Sequence, residues 1–170
     1  MSDELGKRGE SLFYVTITRF YGRELPLFRP QFLGDKWPTL DFFVELMGAG
    51  DTTPYFFAQV RATRRGRSKN GRLRVAVHRD EMRRLALYPA PTFVVGIDEI
   101  SEEAYILSAN GESTNSLASL PTDFPINETN QALLWEEVKE FWTRTKVRHV
   151  SRFVDPKWSV TNAKVRGLVS

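Results

Sequence analysis

The stretch Leu40-Asp41-Phe42-Phe43-Val44-Glu45-Leu46, followed after a turn by Tyr55-Phe56-Phe57-Ala58-Gln59-Val60-Arg61-Ala62-Thr63, decides how this chain is read. Leu40, Phe42, Val44 and Leu46 alternate with Asp41, Phe43 and Glu45. Phe56, Ala58, Val60 and Ala62 alternate with Tyr55, Phe57, Gln59 and Arg61. A period of two is the mark of a strand with one buried face. The Gly-, Asp- and Thr-rich run from Gly48 to Pro54 predicts a turn between them. The two strands should therefore pair as an antiparallel hairpin centred near residue 50 or 51. Cross-strand partners share a face, so only an even sum of partner numbers keeps both apolar sets together. A sum of 100 sets Asp41 opposite Gln59, and 102 sets it opposite Arg61. Either register gathers Asp41, Gln59 and Arg61 within roughly 5 to 8 Å, the reach of paired and diagonal neighbours.

Working outward, residues 4–20 predict a helix, with Gly6, Gly9, Phe13, Ile17 and Phe20 on or near one stripe. A short strand is expected around Leu27–Phe32 and a third hairpin-side strand over Leu73–Val77. Arg79–Tyr88 reads as a helix closed by Pro89. Thr92–Ile97 is continuously apolar, which predicts a central strand, and Ala104–Leu107 is a further strand. Gly111–Asn130 reads as loop, and Ala132–Arg148 as a helix with Leu133, Leu134, Val138, Phe141 and Trp142 on its apolar stripe. The fold class expected is α/β, with a central mixed sheet flanked by helices. One domain spans 1–149, and 150–170 forms a basic tail.

Composition narrows the classes. The 170 residues include no cysteine, which excludes disulfides and thiolate metal sites. No apolar run approaches the ~18 to 20 residues needed to span a bilayer. The acidic Met1-Ser2-Asp3-Glu4 start does not resemble a signal peptide, so the expected location is cytoplasmic with no membrane partner. Net charge is +3, but the charges are segregated. Residues 61–74 hold seven Lys or Arg and no acid, residues 98–140 hold ten acids and one Lys, and residues 144–166 hold seven Lys or Arg and one Asp. Such segregation either builds a basic surface that attracts phosphates or forms ordinary solvated loops.

The polar face of the hairpin suits phosphodiester chemistry. Mg²⁺ or Mn²⁺ takes oxygen donors. Asp41 offers a carboxylate, Gln59 an amide oxygen and Val60 its main-chain carbonyl. Glu10, three and seven residues before Phe13 and Ile17, stands near the apolar side of its helix, where a carboxylate is costly unless it is paired, reaches water or binds a cation. Arg61 could hold a phosphate oxygen in a forked contact. The plainer alternative is an ordinary Asp–Arg cross-strand pair on a surface.

At these residues the sequence resembles the PD-(D/E)xK nuclease superfamily, the restriction-endonuclease-like fold shared with Holliday-junction resolvases. Gly9-Glu10, then Asp41, then Val44-Glu45-Leu46, then Gln59-Val60-Arg61 carry the likeness. It is nearest to an uncharacterised bacterial branch whose motif runs Asp, Val-Glu-Leu, Gln-x-Lys. The likeness covers about residues 4–145. It implies a metal role for Asp41 and Gln59, with Glu10 as an accessory group and Glu45 as a recurring acid of the branch. It also implies a setting in bacterial or mobile-element defence. One departure matters: Arg61 stands where the branch has Lys. Arg stays protonated in proteins and cannot act as a base, so the change threatens turnover more than binding.

Three readings follow. The first is a metal-dependent DNA endonuclease whose basic loop (Arg64, Arg65, Arg67, Lys69, Arg72 and Arg74) grips the phosphate backbone, with His78 as a possible further contact. The second is a pseudo-nuclease that binds nucleic acid or scaffolds a larger complex. The third is a module whose basic patches meet an acidic protein. The tail is a candidate contact for a homo-oligomer or larger complex, although its aromatics Phe153 and Trp158 are expected to pack back on this domain. Trp135 and Trp142 are expected in the core. With two histidines and neither a Gly-x-Ser-x-Gly elbow nor a phosphate loop, zinc, acyl-transfer and nucleotide-cradle chemistries are set aside.

Overall fold

A computed structural model describes residues 3–111, 115–145 and 149–157. The elements run α1 (Asp3–Ile17), β1 (Phe28–Phe32), β2 (Phe42–Leu46), β3 (Tyr55–Thr63), α2 (Arg79–Leu87), β4 (Thr92–Asp98), β5 (Glu103–Ser108) and α3 (Glu128–Arg144). The five strands form one mixed sheet in the order β1-β2-β3-β4-β5. All neighbours are antiparallel except β3 and β4, which are parallel and joined by the α2 crossover.

The hairpin takes the even register, with Phe42 opposite Ala58 and Val44 opposite Phe56. Both partner pairs sum to 100. This register puts Phe42, Val44, Leu46, Phe56, Ala58, Val60 and Ala62 into one apolar layer with Phe13 and Ile17 of α1 and Leu134 and Val138 of α3. Phe56, Phe28 and Phe93 meet edge-on inside it. Burying each such ring stabilises the fold by about 1.5–3 kcal/mol. β4 is buried along its whole length, as its continuous apolar run requires of a strand covered on both faces.

The opposite face of the sheet is covered by α2 and by extended chain. Met82 and Leu85 of α2 join Leu73, Val75, Val77, Val94, Tyr105 and Leu120 in a second apolar layer. Gly96 lets this layer approach the sheet: a Cβ there would meet Leu73 Cδ2 at 2.9 Å and Leu120 Cδ2 at 3.1 Å.

Several expectations need correction, among them the end of the first helix, which stops at Ile17 and leaves Phe20 exposed. Leu73–Val77 is no strand of the sheet. Leu73, Val75 and Val77 are buried and Arg74 and Ala76 exposed, which mimics a strand's alternation. However, the chain bends where Val75 N–H donates to the Leu73 carbonyl, and only Leu73 and Val77 form isolated bridges, to Leu120 and Leu117. Leu40 leaves the alternation of β2 and packs in the α2-side layer with Leu73 and Leu85. α3 starts earlier than expected because Asn127 caps it, its side chain accepting from Asn130 N–H. On that helix Leu133 is 62% exposed, off the apolar stripe. Of the expected end of α3, residues 146–148 lie outside the described residues.

Phe153 is 98% exposed, so it does not pack back on the domain; Trp158 lies outside the described residues. Trp135 and Trp142 pack partly buried against the first layer, their indole N–H groups donating to the Met47 and Tyr55 carbonyls. α2 ends before Pro89, with Tyr88 already extended. None of the described helices is long and apolar enough to cross a membrane.

Candidate functional site

The site grows from the place where β2 and β3 part. Asp41 is the last residue to keep the ladder: its N–H donates to the Ala58 carbonyl, and its own carbonyl accepts from Leu33 N–H. Two residues further back the chain turns away through Thr39, which has a positive φ of 66°. The next donor of β3, Val60 N–H, therefore has no strand partner. The Asp41 carboxylate takes it at 2.6 Å. A side chain has replaced a rung of the sheet, which brings Asp41 against β3 between Gln59 and Arg61. The paired register ends at Phe42 and Ala58, and Asp41 also donates to Ala58, so Asp41 meets β3 through Val60 N–H and not as the cross-strand partner of Gln59 or Arg61 that the even registers predicted. By ladder alternation the Val60 carbonyl faces the same gap as its N–H.

Gln59 is 2% exposed, and its amide oxygen has no hydrogen-bond partner among the described residues. A buried, unpaired carbonyl costs about 1–3 kcal/mol. By strand alternation Gln59 and Arg61 point to the α2 side of the sheet. Arg61 donates to Glu81 of α2 at 2.8 Å, both side chains being about two-thirds buried or more. Glu81 was not foreseen; no signal in the local sequence distinguishes it from the other charges of α2.

Glu10 approaches from the other side. α1 lies close on β3 because Gly9 has no side chain: a Cβ there would come within 2.7 Å of the Ala62 Cβ. The next residue, Glu10, is half-buried above the strand gap. Burial, reinforced first by the charge of Asp41 and then by Asp35 and Asp3, pushes its carboxyl up to about 7. Burial also raises the carboxyl of Asp41, although the Val60 N–H and the Arg61 charge oppose that rise. Two carboxyls whose charged forms are disfavoured next to each other are the electrostatic setting in which a cation binds.

The other expected residues are dispersed. Glu45 stands at the far end of β2, opposite Tyr55 and Arg29, with an Arg29 guanidinium nitrogen at 3.8 Å. Three of the basic-loop side chains are engaged within the fold: Arg64 with Glu99 at 2.9 Å, Arg67 with Glu103 at 2.9 Å and with the Tyr105 hydroxyl, and Arg72 with Ser119 at 2.7 Å. Arg65, Lys69 and Arg74 remain exposed. His78 is the exposed N-cap residue of α2. Among the described residues no group of three or more Asp, Glu or His is arranged to hold a metal ion. Any cation here would draw on two carboxylates supplemented by neutral oxygens. No family model, curated protein or solved structure matches this chain.

Proposed function

We propose that this protein is a divalent-metal-dependent nuclease of the restriction-endonuclease-like kind, acting on DNA phosphodiester bonds. The observation that carries the reading is the buried, unpartnered amide oxygen of Gln59, the residue next to Val60, whose N–H the Asp41 carboxylate takes. A fold keeps such an oxygen at a net cost, and an oxygen-seeking cation would remove that cost. The order of elements supports the same reading: a helix, three antiparallel strands, a crossover helix and a parallel fourth strand.

Mg²⁺ or Mn²⁺ would be held in the strand gap by Asp41 and the Val60 carbonyl, with the Gln59 amide reaching it from the α2 side and Glu10 from the α1 side. When bound, the ion supplies a more acidic water and offsets charge that builds on the phosphate. Asp41 accepts from Val60 N–H and so holds the two strands at the spacing the donors need. Glu10 exchanges a proton near neutral pH. Arg61 offers charge but no base.

A second reading is favoured by the Arg61–Glu81 pair. A guanidinium already engaged, beside a neutral amide in place of an acid, describes a pseudo-nuclease that binds nucleic acid without cutting it. Incubating the protein with plasmid and linear DNA and Mg²⁺ or Mn²⁺, beside Asp41→Asn, separates the two. Asn can still accept from Val60 N–H, so the variant should fold. Cleavage lost in the variant supports the nuclease. Salt-sensitive binding without cleavage in both proteins supports the second reading, and no DNA binding at low salt removes both.

A further inference from the structure

A cavity of about 380 Å³ opens between the end of β3, the bent segment 74–76 and the first turn of α2. Its polar lining comes from Arg61, Arg74, His78 and Glu81. Arg61 and Glu81 neutralise one another at 2.8 Å, which leaves Arg74 as an uncompensated charge at the mouth. The Arg74 guanidinium has no ion-pair or hydrogen-bond partner among the described residues. The His78 side chain makes no cap bond to α2.

The solvent face of α2 continues this charge outward. Arg79, Arg83 and Arg84 are exposed and, among the described residues, likewise unpaired, while Met82 and Leu85 hold the other face in the apolar layer. Arg79 and Arg83 are one turn apart, an arrangement that destabilises a helix by like-charge repulsion unless an anion lies between them.

We infer that the cavity seats a backbone phosphate of a nucleic-acid strand running along α2, and that Glu81 holds Arg61 in the place this phosphate takes. A concave polar cavity at the head of a basic helix face fits a chain of regularly spaced phosphates better than a flat lipid surface. The phosphate displaces the Glu81 carboxylate from Arg61 and gains Arg74, trading one ion pair for two charge-assisted contacts. The inference rests on the nucleic-acid part of the proposed function and not on its metal chemistry.

The test is therefore made in EDTA, as anisotropy of a short fluorescein-labelled oligonucleotide. Arg74→Ala should weaken binding about tenfold. Arg83→Ala should lower the slope of log affinity against log salt by about one. Glu81→Gln should tighten binding roughly threefold to tenfold, because Arg61 is then free at all times. Asp80→Asn removes the same charge from the same turn without touching Arg61, and should tighten binding less. Glu81→Gln that weakens binding, or matches Asp80→Asn, overturns the exchange. Unaltered affinity in Arg74→Ala, or stronger binding to phosphatidylserine vesicles than to the oligonucleotide, overturns the phosphate seat. Arg74-dependent binding in a protein that cuts nothing would sink the nuclease reading and leave this one standing.

Discussion

Gln59 sets a conflict between stability and function at the scale of a single side chain. Its amide oxygen is buried and unpaired, a cost that an apolar side chain of similar length would not carry. Gln59→Met should leave stability unchanged or raise it by about 1 kcal/mol, measured by urea denaturation, while abolishing metal-dependent cleavage. A loss of more than about 2 kcal/mol would mean the amide serves the fold instead. Glu10 gives the pH dependence. Its folded carboxyl titrates at about 7 against an ordinary value of 4.5. The folded state thus holds a proton that the unfolded chain has released across this window, so stability falls as pH rises from about 4.5 to 7. Glu10→Gln should flatten that fall in a series of thermal melts. Saturating Mg²⁺ should flatten it too, because the cation takes the proton's place. Melts of the native protein and Glu10→Gln that stay parallel across the window would remove Glu10 from the site.

The elements set how near these groups come. α1 reaches the strand gap only because Gly9 lies against Ala62. Gly9→Ala gains helix propensity but must push the helix off β3, and overpacking of this kind costs about 1–3 kcal/mol. The expected outcome is a lower denaturation midpoint with a weakened metal effect on stability, since Glu10 moves with the helix. A variant as stable as the native protein would show that α1 can shift freely. The hairpin was legible because one buried face forbids odd registers: the chain pairs Phe42 with Ala58 as parity demands. The bent segment 73–77 was not legible. Its burial alternates like a strand's, but hydrogen bonding decides what is a strand, and the Val75 to Leu73 bond lies outside any side-chain pattern.

For the whole molecule, segregated charge in the sequence became partly cancelled charge in space. The acidic run after residue 98 lies against the basic loop, where Glu99 takes Arg64 and Glu103 takes Arg67. Nucleic-acid affinity should therefore depend on the cations left over. Arg65→Ala should reduce the salt dependence of oligonucleotide binding by about one phosphate contact, roughly 0.9 in the slope for duplex. Arg64→Ala should change it little, because Glu99 keeps Arg8 at 3.6 Å. Equal effects of the two substitutions in a salt titration would show that the ion pairs open on binding.

By itself the sequence determined the α/β class, the hairpin and the even parity of its register, and the buried central strand, because side-chain alternation in a half-buried strand is a local, one-dimensional signal. Only the tertiary structure decided that the hairpin takes the sum of 100, that Arg61 is held by Glu81, that Asp41 replaces a rung of the ladder at Val60, and that two of the six basic-loop cations are neutralised. Those outcomes depend on which distant segments cover each face of the sheet, and long-range packing of that kind leaves no periodicity in the residues that take part.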